Sequence, residues 1–359
     1  MKKMTLKQRM LGLIKGDEID RVPFVQYHNM NASNEEIWQA LGKDNMGVLE
    51  WMQVFRTETP NCRIEHENIR EGELRGWRDT LITPKGKLTQ RRFLVPDLNG
   101  PTGFAEHYIK TVKDYEILLA YLRDMVLVED LSQLQRFHRE TGDGGLPHIS
   151  LPRTPYQALW IEWASIEDLV PHLQDAPELL NDVMQLLGDL LMRAVKITAN
   201  AAPKAEFYHV TMGDNIHGPL IGTRLFQKWC IPYYNEISDT LWEKGVPLFV
   251  HMDGDLKPLW GLIDLCRHRG FDSLSPPPDN DTRVGEALQR WPEKMVWANF
   301  PSSVHLQQPE QIYQQAMELL QEGGHSRRFW IQVSEDAPPN VWKKSFPPIL
   351  QAISDFGKP

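Results

Sequence analysis

Apolar residues recur along this chain at two spacings. From residue 146 onward, short runs at strand spacing alternate with longer stretches at helical spacing. The pattern predicts strands at 146–151, 206–212, 246–251, 271–275, 295–299 and 329–333. Between and after them it predicts helices at 166–200 (broken near Gln174 to Pro177), 223–244, 256–268, 282–290, 308–322 and 339–356. Upstream, 5–15 reads as an amphipathic helix with Thr5 as N-cap, Leu6, Met10, Leu13 and Ile14 on one face, and Gly16 as its stop. A strand at 23–27, a helix at 34–41 and a second strand at 48–56 follow, although mixed apolar spacing leaves 48–56 equally open to a helix. Helical patterns at 113–122 and 131–140 run into a break at Gly142 to Gly145.

Eight strands, each followed by helix, predict an α/β fold of the (β/α)8 TIM-barrel class, whose active site gathers just past the C-terminal strand ends. A doubly wound open sheet is the alternative, but six strands are usual there and no GxGxxG follows any strand. Residues 60–96 depart from the rhythm. They alternate polar and apolar positions around turn signals at Glu71-Gly72 and Pro84-Lys85-Gly86, which predicts β-hairpins inserted after the second strand of a single domain spanning 1–359.

Composition removes several function classes. Hydrophobic residues make up 41% and charged residues 24%, as in ordinary globular proteins. A net charge of −9, with no Lys/Arg run, argues against nucleic acid as a partner. Cys62, Cys230 and Cys266 are too far apart for a CxxC motif and odd in number, which points to a reducing compartment. Lys7, Gln8, Arg9 and Lys15 interrupt any signal-peptide core, and no run reaches the roughly 20 apolar residues of a membrane span, so a cytoplasmic protein is expected. Neither a GxSxG turn nor a Walker loop is present.

In a barrel, the residues beyond each strand are the site candidates: His28 and Asn29; Glu58; Arg153; Asp214, Asn215 and His217; His251, Asp253 and Asp255; Asn299; Glu335 and Asp336. Each also suits a cap or turn. The segment VPLFVHMDGD carries the sharpest signal. Side chains two apart on an extended backbone face the same way, so His251 and Asp253 can converge on one ion. Imidazole nitrogen and carboxylate oxygen bind zinc at about 2.0–2.2 Å, and Glu335 is the expected third ligand. The competing reading has Asp253 accepting a hydrogen bond from His251 or from the Gly254 turn. Gly213 and Gly218 leave room for close backbone approach beside Asp214, which suits either a substrate contact or an Asx turn. Arg153 can grip a carboxylate or phosphate bidentately, or sit on the surface. Asn299 suits a loop bridge as well as a substrate contact.

Four stretches, MTLKQRMLGLIKGDEIDRVPF, TPKGKLTQ, MGDNIHGPLIGTRLFQKWCIPYYNEISDTLWEKGVPLFVHMDGD and SEDAPPNVW, in this order and spacing, resemble the uroporphyrinogen decarboxylase-like superfamily. The resemblance implies a (β/α)8 barrel with its pocket at the strand C-termini. The decarboxylases themselves carry an RQAGRY-type arginine segment after the first strand and an FSDI-like acidic segment. Here VQYHNMNASNEE stands in the first place and the second is missing. The other branch resembled is that of corrinoid-linked methyltransferases, where an H-x-C pair and a distant Cys hold zinc for a thiol acceptor. His251 matches that pattern, while Asp253 and Glu335 replace the sulfur ligands. The expectation is therefore a methyltransferase or demethylase using a corrinoid carrier or methylated small molecule. His251, Asp253 and Glu335 would bind zinc or another divalent metal, Asp214 and His217 would act in catalysis, and His28, Arg153, Asn215 and Asn299 would contact substrate. Its partners would be a small-molecule substrate and a corrinoid protein, and a homodimer is among the assemblies it allows. The alternatives are a decarboxylase of a tetrapyrrole-like polycarboxylate with Arg153 as anion clamp, and a ligand-binding barrel without catalysis.

Overall fold

The protein is described by a computed structural model covering residues 4–95 and 102–359. Eight parallel strands close into a barrel: β1 (Phe24–Tyr27), β2 (Gly47–Met52), β3 (Gly145–Leu151), β4 (Val210–Met212), β5 (Leu248–Val250), β6 (Gly270–Leu274), β7 (Met295–Asn299) and β8 (Phe329–Val333). Each strand pairs with its neighbours in sequence, and β8 returns to β1 with Phe24 opposite Ile331. The predicted strand and helix alternation is thus the architecture observed.

The first helix, α1 (Leu6–Lys15), forms as its sequence dictates. Thr5 and Gln8 make a reciprocal capping box, and Gly16 ends the helix at φ 77°, where a side chain would be strained. Leu6 and Met10 pack onto Gly47 at the start of β2, so α1 lies at the N-terminal end of the barrel. The predicted break near 174–177 falls at Ala176, between helices Ile166–Asp175 and Pro177–Ala201.

Several boundaries differ. The strand predicted at 48–56 divides: β2 ends at Met52, and Phe55–Glu58 leaves the barrel to pair antiparallel with Val126–Glu129. Glu58 therefore does not stand at a barrel strand end; it is exposed and paired with Arg56 at 2.5 Å. The helix predicted at 256–268 shrinks to Lys257–Leu259 and Trp260–Ile263, with Gly261 weakening the second of these. The 223–244 helix becomes Gly218–Trp229 and Ile231–Trp242. The hairpin region is a four-stranded antiparallel sheet, Arg63–Glu71, Leu74–Thr83, Gly86–Leu94 and Thr102–Glu106, with turns at Gly72 and Gly86. It thus reaches past the predicted limit at Pro96, which itself lies outside the described residues. Among the described residues no helix is long and apolar enough to cross a membrane.

Strand alternation fills the barrel in layers. Near its N-terminal end, Phe249, Trp297 and Trp330 stack face to face with centroids 3.8 and 4.0 Å apart. Gly270 makes that stack fit, since a Cβ there would come within 2.1 Å of the Phe249 ring. Two residues further along the same strands, the interior turns polar.

Candidate metal centre

His251 follows Phe249 by two positions, so it points into the barrel just beyond the end of β5; it is only 5% exposed. Asp253 comes two residues later, and Glu335 arrives from the segment after β8. One ligand atom from each of the three lies within 4.8 Å of the others. His251 Nε2 is 3.3 Å from an Asp253 oxygen, while Nδ1 is 3.2 Å from the Tyr27 hydroxyl. Tyr27 donates that hydroxyl proton to Asp272 at 2.9 Å. A phenol already donating to a carboxylate can only accept from His251, which places one imidazole proton on Nδ1 and turns Nε2 toward the two carboxylates.

Asp272 is the hub of a fully buried network. Besides Tyr27 it accepts from His148 Nε2 at 2.7 Å, Thr211 Oγ1 at 2.7 Å and Gln332 Nε2 at 2.9 Å. Burial opposes its charge, but His148, His251 and these donors hold its carboxyl far below the usual range. His148 Nδ1 in turn meets His209 Nε2 at 2.8 Å.

The cluster concentrates charge where water is excluded. Burial disfavours the His251 imidazolium, yet Asp253, Asp272 and Glu335 outweigh it and raise the group to about 9. Burial lifts Glu335 to about 7, with Asp253 and Asp336 adding to the rise. Asp253 is lowered against its burial by His251. A proton on Nε2 and one on Glu335 are what such a site gathers to offset two crowded carboxylates, and a dication offsets the same charge directly. One imidazole and two carboxylates supply three ligands, the number that catalytic zinc sites take from protein while leaving a position open. The residues fit a divalent cation.

The turn carrying Asp253 is held from outside. His217 Nδ1 accepts the Asp255 amide at 3.1 Å, and the Asn280 side chain donates to the Asp253 carbonyl at 2.7 Å. Gly254 is required here, because a Cβ would sit 2.5 Å from His217 Nδ1. His217 thus braces the ligand loop. Asp214 is fully buried: its oxygens accept from the Thr154 amide and hydroxyl and from Tyr234, while its carbonyl accepts from Gln157. It ties the segment after β4 to the one after β3, and burial raises its pKa. Arg153 donates to Asn215 at 3.0 Å and pairs with Glu162 at 3.2 Å. A Cβ on Gly213 would lie 3.3 Å from Trp51 and 3.6 Å from Arg153 Nη1, so both side chains flank this glycine just past the end of β4. Asn299 accepts from the Ser334 amide and hydroxyl, both at 3.0 Å, and steadies the residue before Glu335. His28 sits by Asn34 and Glu50, the latter on the outward face of β2 next to inward Trp51, and so lies apart from His251. Asp336 is partly buried, and burial raises its carboxyl.

Sequence reasoning named all three ligand candidates but missed Tyr27, His148, Thr211, Asp272 and Gln332. The signal was present. Strands of a parallel barrel are buried on both faces and read as apolar runs, so polar residues inside FVQY, GLPHISL, GFDSL and FWIQV demand buried partners.

A methyltransferase from Methanosarcina mazei shares this architecture, with a TM-score of 0.59 at 12% identity over 99% of each chain, a likeness of fold. Among curated proteins none matches the sequence. The family model of uroporphyrinogen decarboxylase (URO-D) matches residues 164–343, half of the chain, and that span contains the last five barrel strands together with Asp214, His217, His251, Asp253 and Glu335: the chain belongs to the uroporphyrinogen decarboxylase (URO-D) family.

Proposed function

We propose that this barrel is a divalent-metal-dependent methyltransferase or demethylase, moving a methyl group between a corrinoid carrier or methylated small molecule and an acceptor. The single observation behind this reading is the convergence of His251, Asp253 and Glu335, with His251 Nδ1 directed at Tyr27 and Nε2 turned toward the two carboxylates. Zinc or another divalent cation held there favours the deprotonated form of an acceptor thiol, water or hydroxyl. The protein's own residues then do the positioning. Tyr27 and Asp272 fix the imidazole, His217 and Asn280 fix the Asp253 turn, and Asn299 fixes the segment leading to Glu335. Trp51, 38% exposed, offers an apolar wall at the mouth, and Arg153 with Asn215 offers a cation and an amide to an anionic donor or acceptor. Methyl transfer asks for alignment and an activated nucleophile, which suits this equipment.

A tetrapyrrole polycarboxylate calls for several converging arginines. Arg153 is a single arginine, so the decarboxylase reading is the weaker one. We place the protein in the cytoplasm, with a corrinoid protein as its partner. Elemental analysis of protein purified without chelators tests the proposal. Stoichiometric zinc lost in both His251→Ala and Glu335→Gln, together with thiol-dependent loss of the methylcobalamin spectrum, supports it. Substoichiometric zinc unchanged in His251→Ala contradicts it.

A further inference from the structure

At the opposite end of the barrel from His251 lies a cavity of about 490 Å³, between the end of α1, the Lys244–Pro247 turn before β5 and the residues that lead into β4, β6 and β7. That volume is in the range of small-molecule sites. Its inner wall is apolar, made by Ile14, Phe207, Pro247 and Met295. The rim has a different character. Four charged residues line the cavity, and three of them, Lys15, Lys244 and Arg269, are cationic, with Glu293 as the lone acid. This bias stands out in a chain whose net charge is −9.

Among the described residues none of these three cations has an ion-pair partner. Lys15 lies over the Tyr208 ring at 5.2 Å and the Arg269 guanidinium over Trp242 at 4.3 Å, so their partners are aromatic faces that leave N–H donors for a ligand. Elsewhere on the surface arginines are spent on carboxylates, as in Arg267–Asp239, Arg283–Glu318 and Arg290–Asp264. Trp242 itself is 51% exposed, a large apolar surface left beside an open cleft.

We propose that this cavity binds an amphipathic organic anion, its apolar body against Phe207, Pro247 and Met295 and its acidic head between Lys244, Arg269 and Lys15. The three cations arrive from separate segments, so they form a site only in the folded chain. Because it lies at the far end of the barrel, the site is independent of the proposed metal and of methyl transfer.

Calorimetric titration of the full chain with octanoate, and with octylammonium as the charge-reversed control, tests this. Octanoate is expected to bind. Its affinity should fall at least tenfold in Arg269→Glu and in the exposed, structurally safer Lys244→Glu, and should be unchanged in His251→Ala. Equal binding of octylammonium, octanoate affinity unchanged in both charge reversals, or loss of binding in His251→Ala would each overturn the proposal. Circular dichroism keeps a folding defect apart from a binding defect.

Discussion

The two halves of the barrel interior are built from the same strands yet have opposite chemistry. On β5, Phe249 is followed two residues later by His251; on β7, Trp297 by Asn299; on β8, Trp330 by Gln332. The first member of each pair joins the aromatic stack, and the second joins the hydrogen-bonded layer or the mouth. A barrel strand can therefore carry packing and chemistry with one periodicity, provided the polar half is fully partnered. The aromatic floor makes a smaller demand of that kind, where Trp330 Nε1 donates to Gln332 Oε1 at 2.9 Å. Asp272 is where the demand is met, with five donors on one buried carboxylate, Ser273 Oγ at 3.4 Å the most distant.

The strongest way to break this contrast is to delete the hub. Asp272→Ala leaves Tyr27, His148, Thr211 and Gln332 without their acceptor inside the barrel, and is expected to cost about 3–5 kcal/mol in urea unfolding. Trp297→Ala opens a cavity in the floor and should cost a similar amount, about 3–5 kcal/mol. The two differ in what else fails: the floor variant, where it folds, should keep its metal affinity, while the hub variant should lose it. Equal retention by both would mean that the polar layer does not support His251.

Acid should act inside the barrel and outside it through buried histidines: His209 packs against Phe249 and Trp297 in the floor, His268 against Tyr234 and Phe271, and His305 against Phe300 and Phe346. Burial lowers His209 and His268 well below their ordinary value, and lowers His305 to about 4. Below about 6.5 the unfolded chain takes up protons that the folded chain refuses, so stability should decline as pH falls from about 6.5 towards 4, by up to about 1.4 kcal/mol per pH unit per group. Both ring nitrogens of His268 are buried with no hydrogen-bond partner among the described residues. His268→Leu should flatten this slope in unfolding experiments at pH 5 and pH 7, whereas an unchanged slope would assign the effect to other groups.

The smallest structural change with a specific readout is Tyr27→Phe. It removes the acceptor from His251 Nδ1 while keeping the ring, so stability should fall by only about 1 kcal/mol. Metal affinity should nevertheless drop by about 10–100-fold. A fall in stability with no change in affinity would reduce Tyr27 to a packing residue.

Much of this was legible in the chain itself. The eight βα units showed because periodicity is local, and the candidate ligands showed because His251 and Asp253 are two apart in one strand exit. What stayed hidden depends on distant partners. Nothing near Phe55–Glu58 announces Val126–Glu129 as its mate, and a short strand without its mate has no fixed identity. The expectation that Asp214 and His217 act in catalysis rests on their place at a strand exit, where polar residues look alike in sequence. Burial separates them: Asp214 is enclosed by Thr154 and Tyr234, and His217 is committed to the Asp255 amide. Asp272 was missed for the converse reason, being placed within a strand where polar residues are not expected.

The centre of the account is one cation held by His251, Asp253 and Glu335, and anomalous diffraction at the zinc edge from crystals of the zinc-loaded protein tests it most directly. The predicted result is a single strong peak at the mouth, with His251 Nε2 at about 2.0–2.1 Å and oxygens of Asp253 and Glu335 at about 2.0–2.2 Å. A map with no peak there, or with its peak beside another set of residues such as His148 and His209, would contradict it.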